Sequence, residues 1–327
     1  MTLAHGNGGR RMRALIEEIL SRPFGAAVDT KKDAGMLGAF SRPLAMTTDG
    51  YSVKPLFFPG GDIGALAVHG TVNDLSVSGA LPRFITLSFF IEEGFAIQDL
   101  AHIAASAAQA AKASQVLLAS GDTKVLPRGG VDGLLLCATG VGEVLRESLD
   151  IRTIAPGDVV LASGPLGDHG AAVLLAREEF GYAGDILSDC ASVWPFCQAA
   201  LDIPRLRFMR DPTRGGLAAV LDEIAQDTGL DAVIEEKNLP LSQGVKALAR
   251  LLGLEPLYWA CEGRVIAVVA EEDEKNLLHA WENLPGGEGA CRVGTVKEGK
   301  GRVIVRTAVG GQRILPPLED DPLPRIC

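Results

Sequence analysis

A chain of 327 residues, 47% hydrophobic and 22% charged, carries enough apolar material for two globular domains. Its net charge of -10 excludes nucleic acid as a main partner, because phosphate backbones select basic surfaces, yet it leaves room for nucleotides held through cations and backbone amides. No secretory leader pattern opens the chain and no apolar run reaches the ~18 residues of a membrane span, so a soluble, cytoplasmic protein is expected.

Helical and strand patterns alternate from the start. A short amphipathic helix is expected over 11–20, a strand over 44–48 ending at Asp49-Gly50, a helix over 64–78 and a strand over 84–91. An Ala-rich helix over 97–113, a strand over 116–119 and strand signals over 134–144 complete the first half. The turn Ala155-Pro156-Gly157-Asp158 then marks a boundary near residue 150. Beyond it the pattern predicts a strand over 159–162, helices over 168–179 and 214–227, and a strand over 231–235. A helix over 243–252, a strand over 264–270, a helix over 273–283 and strands over 292–296 and 302–307 follow. Both halves are therefore α+β or mixed α/β, with domains at 1–150 and 151–312 and a mobile tail at 313–327.

The tail contains Pro316, Pro317, Pro322 and Pro324 and ends in Cys327. Such a run excludes helix and central strand. At roughly 3 Å per residue it spans about 35 Å, so its terminal thiol is placed on a lever. None of the six cysteines forms a C-x-x-C pair, which argues against a structural zinc site, and Cys137 lies in an apolar run typical of a core.

Acidic and glycine-rich segments recur at element ends. They are His5-Gly6-Asn7-Gly8-Gly9-Arg10, Thr47-Thr48-Asp49-Gly50, Asn73-Asp74-Leu75, Ser120-Gly121-Asp122-Thr123-Lys124 and Arg210-Asp211-Pro212-Thr213-Arg214-Gly215-Gly216, with Asp62 in a related Gly loop. Singly, each reads as a turn or a helix N-cap. Jointly, carboxylates at strand ends with glycine loops between them suit Mg²⁺ bridging polyphosphate oxygens, since Mg²⁺ takes one or two carboxylates beside phosphates and water. Lys124 is placed to steady transferring phosphate, and the turn at 213–216 to aim amides and a guanidinium at it. Glu262 precedes an apolar strand, where burial raises a carboxylate's pKa and makes it a usable base; a salt bridge to Arg264 is the plainer reading.

In this order the five segments resemble the ATP-binding superfamily of aminoimidazole ribonucleotide synthetase, selenophosphate synthetase and thiamine-monophosphate kinase. The ending Pro324-Arg325-Ile326-Cys327 is similar to that of the HypE hydrogenase maturation factors. The resemblance implies a two-domain fold like that of the synthetase, a homodimer formed through the N-terminal sheet, and ATP with Mg²⁺ in the cleft. On this chain it implies Asp49, Asp74, Asp122 and Asp211 for metal and phosphate. Asn7, Asp62, Thr123, Thr213, Arg214, Gly215 and Gly216 are further nucleotide-site residues, and Cys327, Lys124 and Glu262 the catalytic groups. It further implies a carbamoyl group received on Cys327 from the carbamoyltransferase HypF and dehydrated with ATP to a thiocyanate. The cyanide then passes to iron on a HypC–HypD complex for the [NiFe] hydrogenase centre. Two rival readings are a selenophosphate-synthetase-like enzyme, disfavoured because no Cys precedes Cys137, and a non-enzymatic docking protein with a redox-active tail.

Overall fold

The structure is a computed structural model that describes residues 1–27, 34–177, 184–319 and 323. The first domain is a four-stranded sheet with two helices on one face. After α1 (Arg10–Ala14) and a wider helical turn (Leu15–Ser21) come β1 (Leu44–Tyr51), the short strands β2 (Phe57–Phe58) and β3 (Gly61–Asp62), and α2 (Ile63–Val77). Then follow β4 (Ala80–Glu92), α3 (Ile97–Ala113), β5 (Leu117–Leu126) and β6 (Leu134–Val144). The sheet order is β1-β6-β4-β5, with only the β4–β5 pair parallel, so α3 is the crossover between them.

Alternation along each strand separates two faces. Ile85, Leu87, Phe89, Ile91, Leu134, Leu136 and Ala138 are buried beneath α2 and α3. The small buried residues Ala104, Ala107, Ala110 and Ala111 let α3 approach closely. The opposite face is partly covered by the segment before β1, where Phe40 meets Phe84 edge-on at 6.0 Å; elsewhere it is open, with Met46 74% exposed and Leu44 49%, and Phe90, Leu135 and Val141 half-buried.

The second domain holds β7 (Val159–Ala162), α4 (Asp168–Leu175), α5 (Trp194–Leu201), β8 (Leu206–Arg210) and α6 (Gly216–Thr228). It continues with β9 (Asp231–Glu235), α7 (Gln243–Leu252), β10 (Ile266–Val269), α8 (Glu274–Glu282), β11 (Cys291–Lys297), β12 (Val303–Arg306) and β13 (Gln312–Leu315). The seven strands run in the order β13-β12-β9-β11-β7-β10-β8. Helix α6 covers one face through Leu217, Leu221 and Ile224, and α5 and α8 cover the other through Phe196, Leu277 and Trp281. Both faces being covered explains why β7 and β10 read as continuous apolar runs.

One apolar cluster crosses between the domains. Phe58, Leu66 and Val68 of the first domain belong to the same cluster as Val173, Val245, Trp259 and Ala260 of the second. The cleft between the domains therefore sits on shared core.

Three boundaries differ from the sequence reading. Asp49 lies inside β1, opposite Ala138, and Gly121-Asp122-Thr123 lies inside β5, opposite Leu87, Ser88 and Phe89. In both places ladder pairing overrides the turn preference of Asp and Gly. The residues 313–315, expected in the mobile tail, instead pair with β12, since no proline interrupts them until Pro316. The turn at 210–216 was expected at a strand-to-helix junction, and β8 and α6 flank it; helix α5 was not expected.

Candidate active site

Four carboxylates converge at the junction of the two domains. Asp49 comes from β1, Asp74 from the last turn of α2, Asp211 from the end of β8 and Glu262 from the segment before β10. Thr47 Oγ1 donates to Asp74 Oδ2 at 2.8 Å, and Asp49 hydrogen-bonds the same carboxyl. Burial, the charge of Asp211 and the neighbouring Asp49 carboxyl push Asp74 up to about 8. Burial likewise lifts Asp211 to about 6. Glu262 is only 2% exposed, and burial together with Asp211, Asp189, Asp74 and Asp49 holds its carboxyl far above the usual range.

Two buried oxygens in this group have no hydrogen-bond partner, Asp211 Oδ2 and Glu262 Oε1. Leaving a buried carboxylate oxygen unpaired costs about 1–3 kcal/mol, so the pair marks a place that a ligand satisfies. Among the described residues no group of three or more His, Cys, Asp or Glu side chains forms a ready-made metal cage. The donor set still fits Mg²⁺ that borrows phosphate oxygens, because it is hard, acidic and short of partners.

The loop of residues 211–216 closes one side. Thr213 N bonds the Asp211 carbonyl at 3.0 Å, and Cys261 N bonds the Pro212 carbonyl at 2.9 Å, which ties this loop to the segment carrying Glu262. Gly216 has φ of 57°, and a Cβ there would come within 2.5 Å of the Trp259 carbonyl oxygen and 2.6 Å of that of Leu257. Only glycine permits this approach. The turn sets Arg214 and Gly215 immediately before the N-terminus of α6, where a helix dipole favours anions.

The remaining candidates lie elsewhere. Asp122 and Lys124 are exposed on the edge strand β5, in register with Ser88 and Phe90 on the open face. Three strand spacings, roughly 14 Å, separate β5 from β1, and all the charges that act on Glu262 are acidic. Lys124 and Glu262 therefore stand apart within one chain. Asn7 lies at the same edge: a Cβ on Gly6 would come within 3.0 Å of Val125, so the N-terminal Gly loop packs on β5. A cavity of about 390 Å³ opens beside it, lined by Ile16, Leu20, Phe89, Asp122 and Thr123 among others. Asp62 has a structural duty, its Oδ1 accepting from Gly64 N at 2.7 Å and Ala65 N at 3.0 Å as the N-cap of α2.

Arg264 does not pair with Glu262. It faces Asp189, Nε to Oδ2 at 3.6 Å, and donates to the carbonyls of Pro165 and Gly286. Asp189 and Asn73 are the residues to which the sequence reading gave no role. Asn73 carried a signal, its place beside Asp74; Asp189, in a loop far from any motif, carried none.

Cys327 lies outside the described residues, as do 320–322 and 324–326. What is described of the tail is packed. Tyr258 Oη donates to the Pro316 carbonyl at 2.7 Å, and Leu318 lies against Gly215. Leu323 is 2% exposed in the cluster that crosses the domains, next to Gly170. Gly170 N in turn bonds the Ala260 carbonyl, two residues before Glu262.

A buried acidic cluster facing a glycine turn, on two α/β domains joined by a common core, describes a nucleotide-dependent enzyme of the synthetase type. Residues 31–144 match the family described as "AIR synthase related protein, N-terminal domain" and residues 155–306 its C-terminal domain. More narrowly, the chain is 46% identical over 334 residues to carbamoyl dehydratase HypE of Rhodobacter capsulatus, covering 100% of this chain and 98% of that one. A solved HypE in complex with ATP superposes with a TM-score of 0.95 at 41% identity, covering 100% of this chain and 99% of that one. The HypE of a HypE–HypF complex superposes with a TM-score of 0.81 at 40% identity, covering 94% and 100%. The chain belongs to the HypE family of carbamoyl dehydratases, and is an enzyme.

Proposed function

We propose that this chain uses ATP and Mg²⁺ to dehydrate an S-carbamoyl group on Cys327 to an S-cyanide, which supplies the cyanide ligand of [NiFe] hydrogenase iron. The observation that carries the reading is the convergence of Asp49, Asp74, Asp211 and Glu262 around two unpartnered buried oxygens, beside the apolar cluster that buries Leu323 and Ala260. Four residues beyond Leu323, fully extended, reach about 13 Å. The relatives support the rest: one is solved with ATP, another with HypF.

The chemistry follows from what an amide resists. Its oxygen is a poor leaving group; phosphorylated by ATP, it departs as inorganic phosphate, with ADP the other product. The nitrogen gives up both protons as the C≡N bond forms. Glu262 removes a nitrogen proton: surrounded by four acidic neighbours it is a stronger base than an ordinary glutamate once ionised. Asp49, Asp74 and Asp211 hold Mg²⁺, which when bound neutralises charge on the phosphate oxygens. Arg214 and the amide of Gly215 bind phosphate, while the Gly216 amide donates to the Thr213 carbonyl at 2.9 Å and holds the turn. The apolar junction excludes water, which would otherwise hydrolyse the activated carbamoyl group.

The protein acts as a homodimer. The open part of the first sheet's outer face carries Leu44, Met46 and Leu135, and Asp122 and Lys124 stand on it. A second copy covering that face encloses Lys124 and Asp122 as the remaining part of the nucleotide site, beside the edge cavity that Thr123 lines and the loop that carries Asn7. HypF loads the carbamoyl group, and HypC–HypD receives the cyanide. Intact-mass analysis tests the reading. With HypF, carbamoyl phosphate and ATP, the wild-type chain gains a carbamoyl group and then loses water, while Cys327→Ala gains nothing. A carbamoyl or cyano adduct on any other residue overturns it.

A further inference from the structure

The main chain of Glu262 is gripped from both domains. From the second domain, Asp189 Oδ1 accepts from Glu262 N at 3.0 Å, and its Oδ2 accepts from Gly263 N at 3.3 Å. From the first domain, Asn73 Nδ2 donates to the Glu262 carbonyl at 3.1 Å and to the Ala191 carbonyl at 3.0 Å. Asn73 Oδ1 in turn accepts from Val193 N at 2.8 Å, so one buried amide side chain braces the loop that carries Asp189 as well as Glu262 itself. Gly263 permits this closeness, because a Cβ there would overlap the Asp189 carbonyl oxygen.

These contacts satisfy the N–H and carbonyl of Glu262 and the N–H of Gly263, while the Glu262 side-chain Oε1 has no partner. A residue held by its backbone and left bare at its tip is fixed for presentation rather than for stability. Asn73 immediately precedes Asp74 on α2, so the same helical turn that grips Glu262 also sets the aspartate facing it. A carboxylate suits position 189, since two adjacent amides and the Arg264 guanidinium all need acceptors there. We propose that Asn73 and Asp189 are positioning residues that clamp Glu262 across the domain junction and hold its free oxygen against the reacting carbamoyl group. This deepens the reading of Glu262 as the base and rests on it.

Two independent measurements test the clamp. The first needs no variant: in the full chain, the amides of Glu262 and Gly263 exchange with deuterium as slowly as those of the neighbouring strand, and fast exchange there overturns the clamp. The second is single-turnover dehydration of the carbamoylated chain. Asp189→Asn and, on the other arm, Asn73→Ala each lower kcat about 30- to 100-fold, as a sub-ångström misplacement does, with the KM for ATP unchanged. Asn73→Ser serves if Asn73→Ala does not fold. In a Glu262→Gln background the same substitutions cause no further loss, because the group they position is already gone. Wild-type rates in both single variants, or an equal loss in both backgrounds, overturn the clamp. A Glu262→Gln chain that dehydrates at the wild-type rate overturns the base assignment instead, and leaves the exchange result to judge the clamp.

Discussion

The domain junction and the β5 edge both carry acidic residues and glycine turns, but they solve opposite problems. At the junction, Asp49, Asp74, Asp211 and Glu262 are crowded together against Coulomb repulsion, and burial raises the pKa values of Asp74, Asp211 and Glu262. Such a site is assembled by one chain. At the edge, Asp122 and Lys124 are exposed on a strand paired on one side only, on the sheet face away from the helices. That region is chemically unremarkable until something covers it. Crowded charge thus marks the place a ligand relieves, whereas exposed apolar surface beside charge marks the place a protein surface completes.

The largest effect that would sharpen this contrast is Glu262→Gln. It should cut the dehydration rate by about 10²- to 10⁴-fold, as loss of a general base does, while nucleotide binding by calorimetry stays intact. Lys124→Ala should spare the fold and the junction, and lower activity only when a dimer is present.

Gly216→Ala comes next and acts on stability. A Cβ at positive φ, within 2.5 Å of one carbonyl and 2.6 Å of another, should cost roughly 2 kcal/mol or more and lower the thermal midpoint. A substitution at Gly8, also at positive φ but with no heavy atom within 4 Å of the added Cβ, should cost less.

The pH dependence separates the regions further. Burial and its acidic neighbours push Asp74 up to about 8 in the folded chain, far above an ordinary aspartate near 3.8, so between those limits the native state binds more protons than the unfolded chain. Stability therefore falls as pH rises from about 4 to about 8. Asp74→Asn, which keeps an acceptor for Thr47, should flatten that slope in thermal melts. Saturating Mg²⁺ and nucleotide should flatten it too, whereas Asp122→Asn should leave it unchanged.

The smallest effect on fold stability is expected from Met46→Asp. Met46 is 74% exposed, so the single chain should melt as before. Sedimentation should show self-association lost, and a variant that still dimerises through this face would break the comparison.

Much of the junction was legible beforehand. Asp49, Asp74, Asp211 and Glu262 were all candidates, and the helix over 97–113 and strands over 134–144 and 159–162 fall where periodicity put them. Local composition is enough there because helix period, strand alternation and Gly turns are properties of neighbouring residues. The edge was less legible. Ser120-Gly121-Asp122-Thr123 looked like a loop because its residues disfavour strands, and only pairing with β4 makes it one. Asp62 looked like a ligand because a cap and a metal ligand share the same residue types.

What the sequence determined by itself was the inventory: two α/β domains, the acidic and glycine segments, and a proline-rich end bearing a thiol. What only the tertiary structure decided was the partition of that inventory. It gathered four carboxylates at the junction, set Asp122 and Lys124 three strands away, and gave Asn73 and Asp189 the backbone of Glu262. The reason is physical. Repulsion between carboxylates, an unpaired oxygen and a hydrogen bond between residues 73 and 262 depend on distance through space, which no local pattern in a chain records.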